Sequence, residues 1–364
     1  MDLPTNLRFQ ACLLGGAIGD AFGAAVEFMS RDQILAQYGQ DGVTDFIKAY
    51  GKIGAITDDT QMTLFTAEGL LRAWVRGKNK GITTEVGCVG HAYLRWLYTQ
   101  GYQSPYRDDY YTPNGVLWNT SELHSQRAPG NTCLQALQDM KTYETFAVNN
   151  SKGCGGVMRV APVGLYSHVL KRRPEKCFEL ASDVAHLTHG HPTGYLASGA
   201  FAVIIQALLE NQSLEQACQL ALFLLAGYPE HQETTAAINL ALTLSKTNIP
   251  PHQAIITLGE GWIAEEALAI GIYCALVADN FKDLMSISVS HSGDSDSTGS
   301  IAGNLWGAQY GLVDCPSEWL EQLELKSLIE TIATDLAEFS EWNIGMYSKD
   351  QELDERIWET YPGH

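Results

Sequence analysis

Positive charge is scarce in this chain. Its 364 residues include 23 Lys and Arg against 42 Asp and Glu, which gives a formal net charge of −19. A surface of this sign repels phosphate backbones and anionic lipid headgroups, so the composition argues against binding to nucleic acid or to a membrane surface. It could favour a basic protein partner, although simple solubility is the preferred interpretation of an acidic surface.

Paired cysteines and long hydrophobic runs are also lacking. The eight cysteines are dispersed without a CxxC pair, so we expect mostly buried, reduced thiols rather than a disulfide framework. The apolar stretch Leu196–Leu209 falls short of a membrane span. Ala11–Gly19 could belong to a secretory signal, but Asp2 precedes it and Asp20 ends it. We therefore predict a cytoplasmic protein.

Alternating Val, Ile and Thr patterns, which are typical of β-strands, are nearly absent. Apolar residues recur instead at three- and four-residue spacing, which predicts helices with one buried face. The clearest such segments are 64–75, 134–140, 161–169, 193–209, 214–226, 234–245, 262–279 and 318–340. No low-complexity linker divides them. We predict an all-α fold in one domain.

Residues 99–131 break this periodicity. They are rich in Gly, Pro, Asn, Ser and Tyr, and an irregular segment of this length in a compact protein is often functional. Its aromatic residues could stack on a nucleobase or an arginine, or could simply anchor the segment. They are Tyr106, Tyr110, Tyr111 and Trp118.

Glycine recurs every fourth residue near both ends of the chain, at 15, 19 and 23 and again at 299, 303, 307 and 311. Residues four apart lie on one face of a helix. Each helical glycine costs about 1 kcal/mol relative to alanine, and close helix–helix approach would offset that cost because no Cβ separates the backbones. We predict two closely packed helices, one from each end of the chain.

Carboxylates adjoin both glycine stripes. Asp20 and Glu27 accompany the first stripe, and His291–Ser297, with the sequence HSGDSDS, precedes the second. A third acidic cluster, Thr57–Thr60, opens its own helix. Taken alone, this cluster is what an ordinary helix N-terminus looks like. The clusters could also lie apart in solvent.

Packing of the two glycine helices would instead bring these clusters together. Four aspartates without a cationic neighbour would repel one another strongly unless counter-ions joined them. Divalent cations such as Mg²⁺ or Mn²⁺ prefer carboxylate and hydroxyl oxygens. Two such cations could polarise a substrate oxygen and orient a water.

A glycine-rich segment, Asn149–Arg159, leads into the helix predicted over 161–169. Backbone N–H groups of such a loop can bind phosphate, although a plain turn accounts for it equally well. Cys154 could be a nucleophile or merely a small residue in a tight loop. His186, His189 and His191 could bind zinc, but a fourth ligand is not evident. We favour a hydrogen-bonding role for His189 near a substrate.

Together these motifs resemble the ADP-ribosylglycohydrolase family. The resemblance is carried by Gly15–Asp20 with Glu27, then Thr57–Thr60, Ser151–Arg159, Leu187–His189 and Gly293–Ser297, in the family's order. It implies an orthogonal all-α bundle in a single domain over 1–364. The family motifs lie within 11–311, and a C-terminal helical extension covers 312–364.

The resemblance also implies a binuclear site for Mg²⁺ or Mn²⁺. The implied ligands are Thr57, Asp58, Asp59, Asp294, Asp296 and Ser297. Ser297 stands where many members have threonine, and it keeps the hydroxyl donor.

Other positions match substrate-contacting parts of the family. Glu27 matches a mobile glutamate near the cations and the ribose, and His189 matches a histidine that contacts substrate. The segment that holds the diphosphate and distal ribose corresponds to Ser151, Gly153, Cys154, Gly155 and Gly156. Cys154 replaces an asparagine found in some members, so only the backbone contacts carry over there.

The implied reaction is hydrolysis at the anomeric carbon of ADP-ribose attached to a protein side chain. Glu27 or Asp59 would accept the proton of the attacking water, and the sequence does not decide between them. The spelling Gly-Asp-Ser-Asp-Ser resembles arginine-directed members. Alternatives are an O-linked ADP-ribosyl serine, a small-molecule conjugate, or an immunity-type protein that binds and blocks a cognate ADP-ribosyltransferase.

Overall fold

Helices make up nearly all the regular structure of the chain. The computed structural model describes residues 3–105, 114–142 and 145–363, and no strand occurs within these ranges. The α-helices are α1 Thr5–Gly23, α2 Arg31–Tyr38, α3 Asp58–Lys80, α4 Glu85–Thr99, α5 Asn131–Asp139, α6 Ala161–Val169, α7 Pro174–His186, α8 Pro192–Leu209, α9 Leu214–Leu225, α10 Gln232–Leu244, α11 Pro251–Leu258, α12 Ala264–Val277, α13 Phe281–Val289, α14 Ser295–Tyr310, α15 Ser317–Gln322, α16 Lys326–Glu338 and α17 Gln351–Thr360. The all-α prediction is confirmed.

The glycine stripes bring α1 and α14 into backbone contact. A Cβ on Gly15 would lie 2.4 Å from the carbonyl oxygen of Gly303, and one on Gly19 would lie 2.0 Å from that of Gly299. No side chain fits at these distances, so the glycines permit the close approach. Gly311 does not join the stripe, because it follows the end of α14 with a φ of 77°.

The predicted helix over 318–340 is interrupted, and this part of the prediction was wrong. The chain forms α15 and α16 instead, and Leu325 between them has a left-handed φ of 59°. The interruption turns Glu324 inward, where its carboxylate accepts hydrogen bonds from Arg127 and from the Ile56 backbone. The ion pair between Glu324 and Arg127, which lie far apart in the sequence, therefore offsets the loss of helix continuity.

Helix α8 extends the apolar stretch Leu196–Leu209 back to Pro192. At 18 residues it is long and apolar enough to cross a membrane, judged by length and composition alone. However, 89% of this 18-residue window is buried inside the protein. Its apolar surface is covered by neighbouring helices such as α7, α9 and α6, as in the core helix of a globular fold.

The described part of the irregular segment connects α4 and α5 and includes a short 3₁₀ helix, Ser121–Leu123. Trp118 packs edge-on against His124 at a centroid distance of 5.1 Å, which favours the anchoring interpretation for this residue. Tyr106, Tyr110 and Tyr111 lie outside the described residues.

The C-terminal segment packs back onto the helices, a role that the sequence did not indicate. The fully buried Tyr361 donates a hydrogen bond from its hydroxyl to Asp335, at 2.6 Å, and its ring stacks on Trp342. Arg72 on α3 donates to the Pro362 carbonyl. The extension is thus part of the packed fold.

Candidate active site

A pocket of about 200 Å³ lies where the first turns of α3 and α14 meet. Its lining, among the described residues, consists of Glu27, Asp58, Asp59, Ala128, Gly130, Asn131, Thr132, Cys133, Gly153, Cys154, Gly155, Met158, His189, Trp262, Asp294, Asp296 and Ser297. The structure thus brings the acidic clusters from both ends of the chain to one place.

The start of α3 fixes Asp58 and Asp59 in this pocket. The Thr57 hydroxyl caps the helix by accepting the Asp59 N–H at 3.2 Å. The Asp58 N–H donates to the Arg127 carbonyl, and the Asp58 carboxylate accepts the Gly130 N–H at 3.2 Å. Capping therefore determines where the two carboxylates point.

The start of α14 places the second acidic cluster. Asp294 is the N-cap, and its carboxylate accepts the Ser297 N–H at 3.2 Å. Asp296 follows in the first turn and also accepts from that N–H, at 2.9 Å. Gly293 has a φ of 118°, and a Cβ there would lie 1.9 Å from the Glu260 carbonyl oxygen, so glycine is required at this turn.

The glycine-rich loop also lines the pocket and is held in place by the segment before α12. The Cys154 N–H donates to the Trp262 carbonyl, and the Ala264 N–H donates to the Lys152 carbonyl. Lys152 also forms ion pairs with Glu233 on α10 and Glu265 on α12, both at 2.8 Å. Backbone hydrogen bonds and the ion pairs of Lys152 therefore both hold the loop in place.

Negative charge accumulates in the pocket without compensation, since no Lys or Arg is among the described residues that line it. Burial, reinforced by Asp294 and Asp58, raises the pKa of Glu27 to about 9. Burial first, and then carboxylate neighbours, also raises the pKa values of Asp59 and Asp296 well above their ordinary range. The pocket therefore favours any ligand that brings positive charge.

Two carboxylate oxygens in this pocket have no protein partner. The Glu27 Oε2 and Asp59 Oδ2 atoms are buried and accept no hydrogen bond in the described structure. A buried acceptor without a partner is costly unless a ligand, ion or water completes it. Even so, no three His, Cys, Asp or Glu side chains among the described residues form a ready-made cation site.

Cys154 is a hydrogen-bond donor in this arrangement. Its thiol donates to the Asp294 carboxylate, with 2.7 Å between sulfur and oxygen. Burial, together with the nearby charges of Asp294 and Asp59, raises its pKa well above the usual value. A thiol that keeps its proton is a poor nucleophile, so the geometry disfavours a covalent role.

His189 is buried against the glycine-rich loop. Its Nδ1 lies 2.8 Å from the Thr188 hydroxyl, which accepts a hydrogen bond from Arg159 at 2.6 Å. The Thr188 hydroxyl also lies 3.3 Å from the Ala185 carbonyl oxygen. The shorter contact with Nδ1 favours donation from Thr188 to Nδ1, which leaves Nε2–H as a donor facing the pocket. Burial, and then Arg159, lowers the pKa of His189 to about 3. The ring is therefore neutral near pH 7.

We expect replacement of His189 by leucine, which is similar in size and has no hydrogen-bond donor, to weaken substrate binding and to leave turnover nearly intact. Losing one hydrogen bond costs about 1 kcal/mol, which corresponds to a rise in KM of roughly fivefold. Steady-state kinetics would separate KM from kcat. A large fall in kcat at unchanged KM would instead assign His189 to the chemistry.

Some predicted site residues lie off this lining. Thr57 is fully buried beneath the start of α3. Gly156 packs under α8, where a Cβ would lie 3.1 Å from the Gly194 carbonyl oxygen. Ser151 lines an adjoining cavity of about 630 Å³ that shares Asn131 and Thr132 with the pocket.

The other two histidines that had suggested zinc have separate roles. His186 stacks between Phe146 and Tyr195, with both centroid distances 4.5 Å. His191 caps α8 by accepting the Thr193 N–H. The zinc interpretation therefore has no support in the geometry.

Sequence reasoning missed the segment around Trp262 and the start of α5. Gly259 and Gly261, both with positive φ, flank Glu260 and form the turn that carries Trp262 to the pocket. The Gly-Glu-Gly-Trp spelling was an available signal for a tight turn. Nothing in the sequence indicated that this turn would meet Asp294, whose N–H donates to the Glu260 carbonyl.

The sequence of this chain is similar to one family profile and to several named proteins. The sequence profile described as ADP-ribosylglycohydrolase matches residues 2–344. The ADP-ribosyl-[dinitrogen reductase] glycohydrolase of Rhodospirillum rubrum is 27% identical over 88% of this chain and 91% of its own length. ADP-ribosylhydrolase ARH3 of Bos taurus is 27% identical, over 90% and 92%. ADP-ribosylarginine hydrolase Tri1 of Serratia proteamaculans is 22% identical, over 90% and 78%.

A solved structure titled ADP-ribosylglycohydrolase-related protein complex shares the fold. It superposes with a TM-score of 0.64 at 24% identity and covers 92% of this chain and 99% of its own. The family and the named relatives support hydrolysis of ADP-ribosyl conjugates as the activity. Because the family profile spans almost all of the sequence, this chain belongs to the ADP-ribosylglycohydrolase family.

Proposed function

We propose that this protein removes ADP-ribose from modified arginine side chains in the cytoplasm, using two divalent cations, Mg²⁺ or Mn²⁺. The observation that carries the proposal is the uncompensated carboxylate pocket beside the glycine-rich loop, with the unpartnered oxygens of Glu27 and Asp59 inside it. A diphosphate could lie along the loop while the reacting ribose enters the acidic pocket.

The donor chemistry of the pocket fits hard divalent cations. Asp58, Asp59, Asp294 and Asp296 supply carboxylate oxygens, and Ser297 supplies a hydroxyl. We retain Thr57 as a proposed ligand, although its hydroxyl oxygen now accepts the Asp59 N–H. When bound, the cations would offset the carboxylate charge and polarise the ribose hydroxyls and the attacking water.

The chain's own residues would then bind and orient the substrate and deprotonate the attacking water. Backbone N–H groups of the glycine-rich loop suit the diphosphate, and the Nε2–H of His189 suits a substrate oxygen. With the neighbouring carboxylate charge offset, Glu27 or Asp59 would be ionised and would accept a proton from the attacking water as the water oxygen bonds to the anomeric carbon. The carbon–nitrogen bond breaks as that bond forms, and the arginine guanidine group leaves with the bonding electrons and takes up a proton.

Arginine is the proposed linkage for two reasons. The Serratia relative bears the name ADP-ribosylarginine hydrolase, and the Gly293–Ser297 spelling resembles that of arginine-directed members. The bovine relative is named only as an ADP-ribosylhydrolase, so an O-linked serine conjugate is the competing substrate.

A direct assay tests both parts of the proposal. Peptides carrying ADP-ribose on arginine or on serine would be incubated with the protein in Mg²⁺, in Mn²⁺ and in a chelator, and free ADP-ribose measured. We expect release from the arginine peptide with either cation and none in the chelator. Preferential release from the serine peptide would overturn the linkage, and undiminished release in the chelator would overturn the cation requirement.

A binding role would give a different result. Should the protein act as an immunity factor, it would form a stable complex with a cognate ADP-ribosyltransferase, and Asp58→Ala would leave that complex intact. We expect Asp58→Ala to abolish release of ADP-ribose, so a transferase complex that survives this substitution would support the binding role over catalysis alone.

A further inference from the structure

Asp20 lies beneath the acidic pocket and not on its lining. The residue is on α1 and is fully buried. Its carboxylate accepts the Thr57 N–H at 3.0 Å and the Thr60 N–H at 3.1 Å. The Thr60 hydroxyl donates to the same carboxylate. No Lys or Arg forms an ion pair with Asp20 among those found in the described ranges.

These bonds complete the N-terminus of α3. The first N–H groups of any helix lack partners within the helix and must find them elsewhere. Here the Asp58 N–H uses the Arg127 carbonyl, and the Asp59 N–H uses the Thr57 hydroxyl. The Asp20 carboxylate accepts the N–H groups of Thr57 and Thr60, which lie on either side of this pair. A helix that already has the Thr57 hydroxyl as its N-cap thus takes a second capping group, a carboxylate, from another helix.

The same stretch of α1 is locked onto α14. A Cβ on Gly19 would strike the Gly299 carbonyl, and one on Gly23 would lie 2.3 Å from the Asp296 nitrogen. Asp20 sits between these two glycines in sequence. One turn of α1 therefore touches the backbone of both acidic clusters, through the Asp20 carboxylate on the α3 side and through glycine contacts on the α14 side.

We propose that Asp20 is a positioning residue that sets the spacing between the Asp58–Asp59 pair on α3 and Asp296 on α14. This inference rests on the proposed cation-dependent function. Asp20 does not touch substrate; it fixes the turn whose carboxylates do the binding. Residues that support ligands in this way typically contribute about 10–100-fold to metal affinity or activity.

The decisive variant is Asp20→Asn, which keeps the size of the side chain. An amide has one acceptor oxygen, and its NH₂ group would face N–H donors, so at least one hydrogen bond to Thr57 or Thr60 would be lost. We expect Mn²⁺ binding, measured by calorimetry on the full chain, to weaken about 10-fold or more, with a similar fall in kcat. The Mn²⁺ electron paramagnetic resonance spectrum should also change.

Leu13→Ala provides the matched control. Leu13 is a buried core residue of α1, 2% exposed, two turns before Asp20, so its truncation lowers stability by cavity formation alone. We expect the control to lower the melting temperature and to leave Mn²⁺ affinity unchanged in the folded protein. Equal Mn²⁺ affinity of Asp20→Asn and the wild type would overturn the inference.

If Asp20→Asn does not fold, Thr60→Val provides a second test of the inference. It removes only the hydroxyl that donates to Asp20, and we expect a smaller weakening in the same direction; unchanged Mn²⁺ affinity would count against the inference. Absence of Mn²⁺ binding and of hydrolysis in the wild type would refute the proposed function itself. The two failures are therefore distinguishable.

Discussion

Replacing Asp296 by asparagine is expected to abolish release of ADP-ribose and, in metal-free buffer, to raise the melting temperature. Asp296 is buried in a pocket with no cationic lining residue among those described, and its pKa is raised by burial and by Asp59 and Glu27. Removing one charge relieves repulsion in the cation-free protein. It also removes a proposed ligand, so the gain in stability comes with loss of function.

The pH dependence of stability follows from the same charges. Glu27 has a pKa of about 9 in the folded protein and about 4.3 in an unfolded chain. Between these values the folded state binds more protons, so cation-free stability falls as pH rises through that window. Divalent cations should cancel much of this loss, and their stabilising effect should be larger at high pH.

Thermal unfolding with chelator and with Mg²⁺, at about pH 6 and pH 9, would measure both effects. Asp41→Asn, at an exposed position, is the matched control, and it should change neither activity nor the response to Mg²⁺. We expect the loss of activity in Asp296→Asn to exceed the roughly 100-fold typical of residues that only support ligands. Substantial hydrolysis by this variant would contradict the carboxylate site.

Replacing Gly19 by alanine should severely destabilise the fold. The added Cβ would lie 2.0 Å from the Gly299 carbonyl oxygen, and both contacting groups belong to helix backbones that cannot move alone. Overpacking of this kind costs about 1–3 kcal/mol or more. Alanine gains about 1 kcal/mol of helix propensity over glycine, which does not offset a backbone collision.

Gly77→Ala is the control for helix propensity. Gly77 also lies within a helix, α3, but a Cβ there would meet only the Thr83 side chain, whose methyl carbon lies at 3.3 Å. We expect its unfolding free energy to be unchanged or slightly raised. Chemical denaturation of both variants would provide the comparison, and equal stability of the two would show that the α1–α14 contact tolerates separation.

Local patterns predicted much of this architecture. The four-residue glycine spacing is a property of one helix face, so it indicated the α1–α14 packing without knowledge of the fold. Thr57 and Asp294 are helix N-caps, and capping residues are recognisable from neighbouring sequence. These signals place the ends of α3 and α14, and with them the acidic residues.

Contacts between distant segments could not be predicted in this way. The break before α16 depends on Glu324 reaching Arg127, and the role of Asp20 depends on α3 lying against α1. Neither contact produces a periodic pattern in the sequence. Ser151 likewise matched a family position, yet its side chain lines the adjoining cavity. Its predicted contact with the diphosphate or distal ribose stays a prediction.

The pairing of α1 with α14 also constrains the order of events on the ribosome. α1 emerges early, but its glycine face has no partner until α14 is synthesised near the other end of the chain. Contacts between such remote segments form slowly because a long loop must close first. The nascent chain therefore carries the uncovered glycine face of α1 until α14 has emerged, and the pocket is assembled only then.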